Sequence, residues 1–324
     1  MLTRALRLFR LWGINVYVHW TWLPAALFLF QRGADDYASP AWAALEYLTL
    51  FGIVLLHEFG HALACRSVGG KADRIVLWPL GGVAFVQPPQ RAGAYLWSIA
   101  AGPLVNVALL APTIPLALWA WERPGDLAQY VRTVGFMNVG LLVFNLLPFF
   151  PLDGGQIVRA VLWWMVGRAR SLIVAGVIGM LGAAAGLGLA LVYVPDQFML
   201  FLLIAFAAFQ CWGAVRQGLL LRRIENAPRF AGFACPRCNE PPPAMVGFRC
   251  PDCGTPFQPF PHLQTCPNGC ARGAEVMCLF CMEPSDCHAW LRPDLLPPRA
   301  APGPVEPREP SSTFGTPQPH RWMP

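Results

Sequence analysis

The chain has 324 residues, of which 55% are hydrophobic and only 13% charged, about half the ~25% charged share of an ordinary soluble domain. Its formal net charge of +6 does not argue for nucleic acid, because the arginines sit in short gaps between long apolar stretches and form no basic, aromatic-studded stripe. The class left is a polytopic α-helical membrane protein.

Arg4, Arg7 and Arg10 precede the first apolar run, an arrangement shared with signal peptides. That run ends in Gln31-Arg32 without a small-residue cleavage site, so it is read as a retained span. Six stretches, near 14–30, 42–64, 94–121, 127–149, 171–193 and 197–218, approach the roughly 20 residues that cross a bilayer as helix. Arg66, Lys71, Arg74 and Arg91 follow the second; Arg159, Arg168 and Arg170 follow the fourth; Arg216, Arg222 and Arg223 follow the sixth. The other gaps carry Asp35, Asp36, Glu122, Asp126 and Asp196. Basic gaps therefore alternate with acidic ones, which puts both termini in the cytoplasm.

Between the second and third stretches, Ile75–Leu77 and Val83–Val86 flank Pro79-Leu80-Gly81-Gly82. That pattern predicts a membrane-associated β-hairpin. The organisation expected is a membrane-embedded domain over 1–218, a basic linker over 219–230, a cysteine-rich module over 231–292 and a Pro-rich disordered tail over 293–324.

The second stretch ends in His57-Glu58-Phe59-Gly60-His61. Residues four apart share a helix face, so both imidazoles can reach one ion while Glu58, beside them, serves as a general base toward water. The plainer alternative is two interfacial histidines at a helix end, which the cost of ionisable groups inside a span weighs against. A catalytic zinc needs a third protein ligand and an open position. Asp153 is the best candidate, in a segment where Pro148 and Pro151 break the helix and Gly154 and Gly155 let the backbone turn closely. Its other reading is an N-cap for a helix over 155–167. Cys65 and Cys211 read as packing residues and His19 as an interfacial anchor.

With these motifs, residues 10 to 218 resemble the site-2 protease family of intramembrane zinc metalloproteases, in its compact six-span branch. The resemblance rests on His57 through His61, on Gly102-Pro103-Leu104-Val105-Asn106, on Asn145 through Gly155, and on the hairpin with Pro79-Leu80-Gly81-Gly82. It implies hydrolysis of a peptide bond within or near a substrate's transmembrane helix, with Asp153 as third ligand. It also suggests a bacterial cell membrane and a substrate that is itself a membrane protein. The hairpin, with Gly81 and Gly82 at its turn, could take an unwound substrate segment as an added strand. Asn106 and Asn145 could bind substrate backbone or an oxyanion, or simply lock the bundle through interhelical hydrogen bonds. Nucleotide-binding modules common at the C-terminus of that branch are replaced here by cysteines, so regulation by ATP is not carried over.

In the tail, Cys235-x-x-Cys238 and Cys250-x-x-Cys253 have the spacing of a zinc ribbon. Cys266, Cys270, Cys278 and Cys281 suggest a second site, to which His262, Cys287 or His288 could contribute. A cytoplasmic placement disfavours disulfides. The module is expected to fold on zinc and to bind a regulatory protein, not nucleic acid. Two rival readings remain: a silent membrane scaffold that recruits partners through the ribbons, and a prenyl-endopeptidase type of protease. The latter needs a downstream Glu or His ligand, and Glu122 lies on the wrong side of the membrane for it.

Overall fold

Ile14, Val16 and Val18 alternate with Asn15, Tyr17 and His19, the period of a strand with one buried face. In the structure, a computed structural model that describes residues 5–24, 26–27, 37–78, 81–244, 248–260, 262–292 and 294, these residues are indeed β2 (Ile14–His19). The expectation of a membrane helix beginning at residue 14 is therefore corrected. The remainder of that stretch lies partly outside the described residues. Trp12 and Gly13, both at positive φ (48° and 77°), form the tight turn that folds β1 (Ala5–Leu11) back on β2. Partners on both sides, β1 and β3 (Lys71–Trp78), satisfy the β2 backbone in an apolar setting.

The sheet has the order β1-β2-β3-β4, antiparallel except for the parallel β2–β3 pair, with β4 (Gly81–Gln87) at the edge. The hairpin predicted from the sequence is β3–β4, although Pro79 and Leu80 of its turn lie outside the described residues. The inner face of the sheet, Ile14, Val16, Ile75 and Leu77, packs on Val54, Phe59, Ala62 and Cys65 of α1 (Pro40–Ser67).

Arg66 near the end of α1 donates to the carbonyls of Trp12 and Gly13, while Trp22 meets Tyr47 and Phe51 edge-on at 5.4 and 5.3 Å. Residues 13–22 thus run antiparallel to α1 along its stretch from Arg66 to Tyr47, about 28 Å at 1.5 Å per residue. That distance is close to the ~30 Å hydrocarbon core of a bilayer.

Five helices are long and apolar enough to cross a membrane: α1, α2 (Ala92–Trp119), α3 (Asp126–Leu146), α5 (Arg168–Tyr193) and α6 (Phe198–Glu225). They match five of the six predicted stretches. The short α4 (Asp153–Val166) lies between α3 and α5. Half of the most apolar window of α1 is buried, against 17% for α6, so α1 is central and α6 has a largely lipid-compatible surface. Helix α6 continues to Glu225, which makes helix of the first residues of the expected linker.

Chain packing separates two units. One comprises Met1–Pro228, Pro243–Gly247 and Cys278–Glu283; the other comprises Arg229–Pro242, Phe248–Met277 and Pro284–Pro324. The second unit has a small aromatic core in which Phe230, Phe233, Phe248 and Trp290 surround Phe260 at ring distances of 5.0–6.1 Å. Apart from Asp294, the predicted disordered tail lies outside the described residues.

Candidate metal centre

His57 and His61 lie on one face of α1, both 6% exposed. The His57 Nδ1 is 2.6 Å from the Asn106 Oδ1, and the His61 Nδ1 is 2.9 Å from the Ser98 carbonyl. A backbone carbonyl only accepts, so His61 carries its proton on Nδ1 and turns the Nε2 lone pair inward. The two Nε2 atoms are 3.1 Å apart. Asp153 completes the group, its Oδ2 lying 3.0 Å from His57 Nε2 and 3.3 Å from His61 Nε2.

These three spacings suit one tetrahedral ion, since bonds of 2.0–2.1 Å set ligand atoms about 3.3 Å apart. Two further observations support the fit. The Asp153 Oδ2 is buried and makes no hydrogen bond, so three lone-pair donors converge without a proton to share. A Cβ added to Gly102 would also lie 2.3 Å from His61 Nε2 and 2.8 Å from His57 Nε2. The missing side chain of Gly102 is the space an ion needs. Gly102→Ala is therefore expected to cost about 1–3 kcal/mol of overpacking and to remove zinc from this site, measured as metal per chain in the purified protein.

Asp153 is the first residue of α4, and the N-cap position falls to Leu152. The capping alternative is thereby set aside. Its carboxylate is presented by a backbone packed so closely that a Cβ on Gly154 would stand 2.2 Å from the Leu146 carbonyl. Gln156 braces the same turn, accepting from Tyr95 at 2.9 Å and donating to the Pro151 carbonyl at 3.2 Å.

Glu58 is 5% exposed. Its Oε2 accepts the Ala84 backbone N–H of β4 at 2.7 Å, and Gly82 leaves room for the rest of the carboxylate, which a Cβ there would meet at 2.3–2.6 Å. Gly81, at φ 141°, opens the strand. Asn106 does not have the free amide expected of a substrate or oxyanion contact. Its oxygen faces His57 and its amino group donates to Asn138 Oδ1 at 2.8 Å. Asn145 is half-buried near the end of α3. Asn138, missed in the sequence, carried only the weak signal of an amide within an apolar helix.

In the tail, the predicted partnership of Cys250 and Cys253 with Cys235 and Cys238 is corrected. Cys250 and Cys253 join Cys266 and Cys270 instead, with the four sulfurs within 4.8 Å of one another. Spacing alone does not reveal this arrangement. It is enforced by bonds within the inner loop, where Arg272 pairs with Asp252 at 2.7 Å and Asn268 donates to Thr255 at 3.0 Å. Hydrogen bonding by Thr255 pulls the Cys253 thiol down to about 6, whereas hydrogen bonding to Cys253 pushes Cys270 up to about 12. Cys250→Ser with Cys266→Ser is expected to lose one zinc per chain, and Cys250→Ser with Cys278→Ser two. Equal losses from the two pairs would restore the pairing of adjacent motifs.

Comparison with known proteins converges on the membrane-embedded part. The profile of Peptidase M50B-like proteins matches residues 20–150, and that of Peptidase family M50 matches residues 120–189. Both profiles describe M50 peptidases, and over these residues the chain resembles that family. A zinc metalloprotease of Methanocaldococcus jannaschii is 32% identical over 54% of this chain and 50% of its own length. The stage IV sporulation protein FB of Bacillus subtilis is 32% identical over 44% of this chain and 46% of its own. The chain thus spans about half the length of the curated relatives it matches. A solved site-2 protease from Methanocaldococcus jannaschii is 29% identical, covers 65% of this chain and 95% of its own, and aligns with a TM-score of 0.46.

Proposed function

We propose that this protein is an M50-type intramembrane zinc metalloprotease that hydrolyses a peptide bond within or near a transmembrane segment of a membrane-protein substrate. The observation that carries the reading is a buried donor set in which His57 and His61, with Glu58 beside them, lie on a helix able to cross a membrane and meet Asp153 from α4. When bound, zinc supplies Lewis acidity toward water and the scissile carbonyl. Glu58 takes the proton of the attacking water and passes it to the leaving amine. The Ala84 N–H holds that carboxylate in place.

Strand β4 is the edge of the sheet beside Glu58, where an unwound substrate segment can add as a further strand with Gly81 and Gly82 at its start. Asn145 is the remaining amide for the developing oxyanion. The enzyme resides in a bacterial cell membrane with both termini cytoplasmic, and cleavage belongs to regulated intramembrane proteolysis. Two structural zincs hold the tail, which binds a regulatory protein.

The test is cleavage of candidate single-span substrates by the reconstituted full-length protein and by Glu58→Gln. Undiminished cleavage by the variant would overturn the mechanism.

A further inference from the structure

Zinc can bind His57 through Nε2 only if the ring proton sits on Nδ1, which requires an acceptor opposite Nδ1. Unlike the carbonyl that faces His61, the group facing His57 is ambiguous. The Asn106 amide can present either its oxygen or its amino group. Presented the wrong way, the amino group would leave the proton on Nε2 and block the metal.

We propose that Asn138 resolves this ambiguity and is a positioning residue for the metal centre. Asn106 and Asn138 are both fully buried, on α2 and α3. The Asn138 amino group donates to the Asn106 backbone carbonyl at 3.1 Å and contacts Thr113 Oγ1 at 3.4 Å. The carbonyl is an acceptor without alternatives. Thr113 is an acceptor too, because its own hydroxyl donates to the Leu109 carbonyl at 2.7 Å. With both neighbours accepting, the amino group of Asn138 must face them, which turns its Oδ1 toward Asn106.

That Oδ1 takes the Asn106 amino group at 2.8 Å, and the Asn106 oxygen is thereby aimed at His57 Nδ1, 2.6 Å away. Orientation passes from a backbone carbonyl through two amides to an imidazole. No charged group takes part, which suits a relay enclosed within the membrane-spanning bundle.

The inference rests on the metal-centre reading, and the experiment keeps the two apart. Zinc affinity is measured by chelator competition on the full-length protein, with Asp153→Ala defining the equivalent held at the membrane site. Asn138→Leu is expected to weaken that equivalent about 10–100-fold, the range for loss of an outer partner. Asn106→Asp supplies a carboxylate that can only accept from His57, so it holds the tautomer without help. In that background, Asn138→Leu is expected to change affinity by no more than about twofold.

The same 10–100-fold loss in both backgrounds would mark Asn138 as a packing residue, and no loss in the native background would equally overturn the proposal. If Asp153→Ala costs no zinc, the metal-centre reading itself fails. Nitrogen-15 chemical shifts of His57 give an independent readout, expected to show protonated Nδ1 in the native chain and to lose that signature in Asn138→Leu.

Discussion

Replacing Glu58 with Gln is expected to lower the rate of peptide-bond cleavage by about 10²–10⁴-fold, the usual contribution of a positioned general base. The amide copies the shape of the carboxylate, and its oxygen can still accept the Ala84 N–H now found at 2.7 Å from Oε2. Packing against Gly82 is also retained. What is lost is the ability to take up a proton. The loss should therefore fall on kcat, with zinc content and the KM for a single-span substrate close to those of the native chain. A variant that loses zinc as well as activity would show that Glu58 supports the metal cluster, a different role from that of base.

The second large effect is expected for Asp153→Ala, which should remove one zinc per chain and abolish cleavage. Its Oδ2 is the only one of the three donors that brings negative charge, and it sits 3.0 and 3.3 Å from the two imidazole nitrogens. Two neutral imidazoles alone must strip an ion of water without compensating its charge in an apolar bundle. The affinity lost should therefore exceed the 10–100-fold typical of an outer partner. Zinc held by the eight tail cysteines provides the internal control, because none of them belongs to the membrane cluster. Unchanged total zinc would remove Asp153 from the ligand set.

The donors His57, His61 and Asp153 were legible in the sequence because their geometry is local. Four residues on a helix bring two imidazoles to one face, and paired glycines announce a close backbone turn. The meeting of Asp153 with the histidines depends on long-range packing, yet the acidic group had few alternatives in so apolar a chain. Asn138 was not legible. Its role depends on which of two amides faces which acceptor, and that is decided by contacts between α2 and α3.

Strand β2 was obscured for a different reason. Averaging hydropathy over a span's length hides the period of two in Ile14, Val16 and Val18, and the short strand then merges with the apolar residues that follow. The meeting of Cys250 and Cys253 with Cys266 and Cys270 escaped because each x-x spacing fixes only its own two sulfurs. Which pair meets which is a property of the loops between them.

Ser98, Gly102 and Asn106, which supply the carbonyl behind His61, the clearance for the ion and the amide behind His57, recur at every fourth residue of α2. All three therefore lie along one stripe of a single helix. A slip of α2 by one residue turns that stripe by about 100° and removes all three at once. Metal capture is in this sense conditional on the register of two helices, so a chain whose first helices have not docked correctly has no usable zinc site.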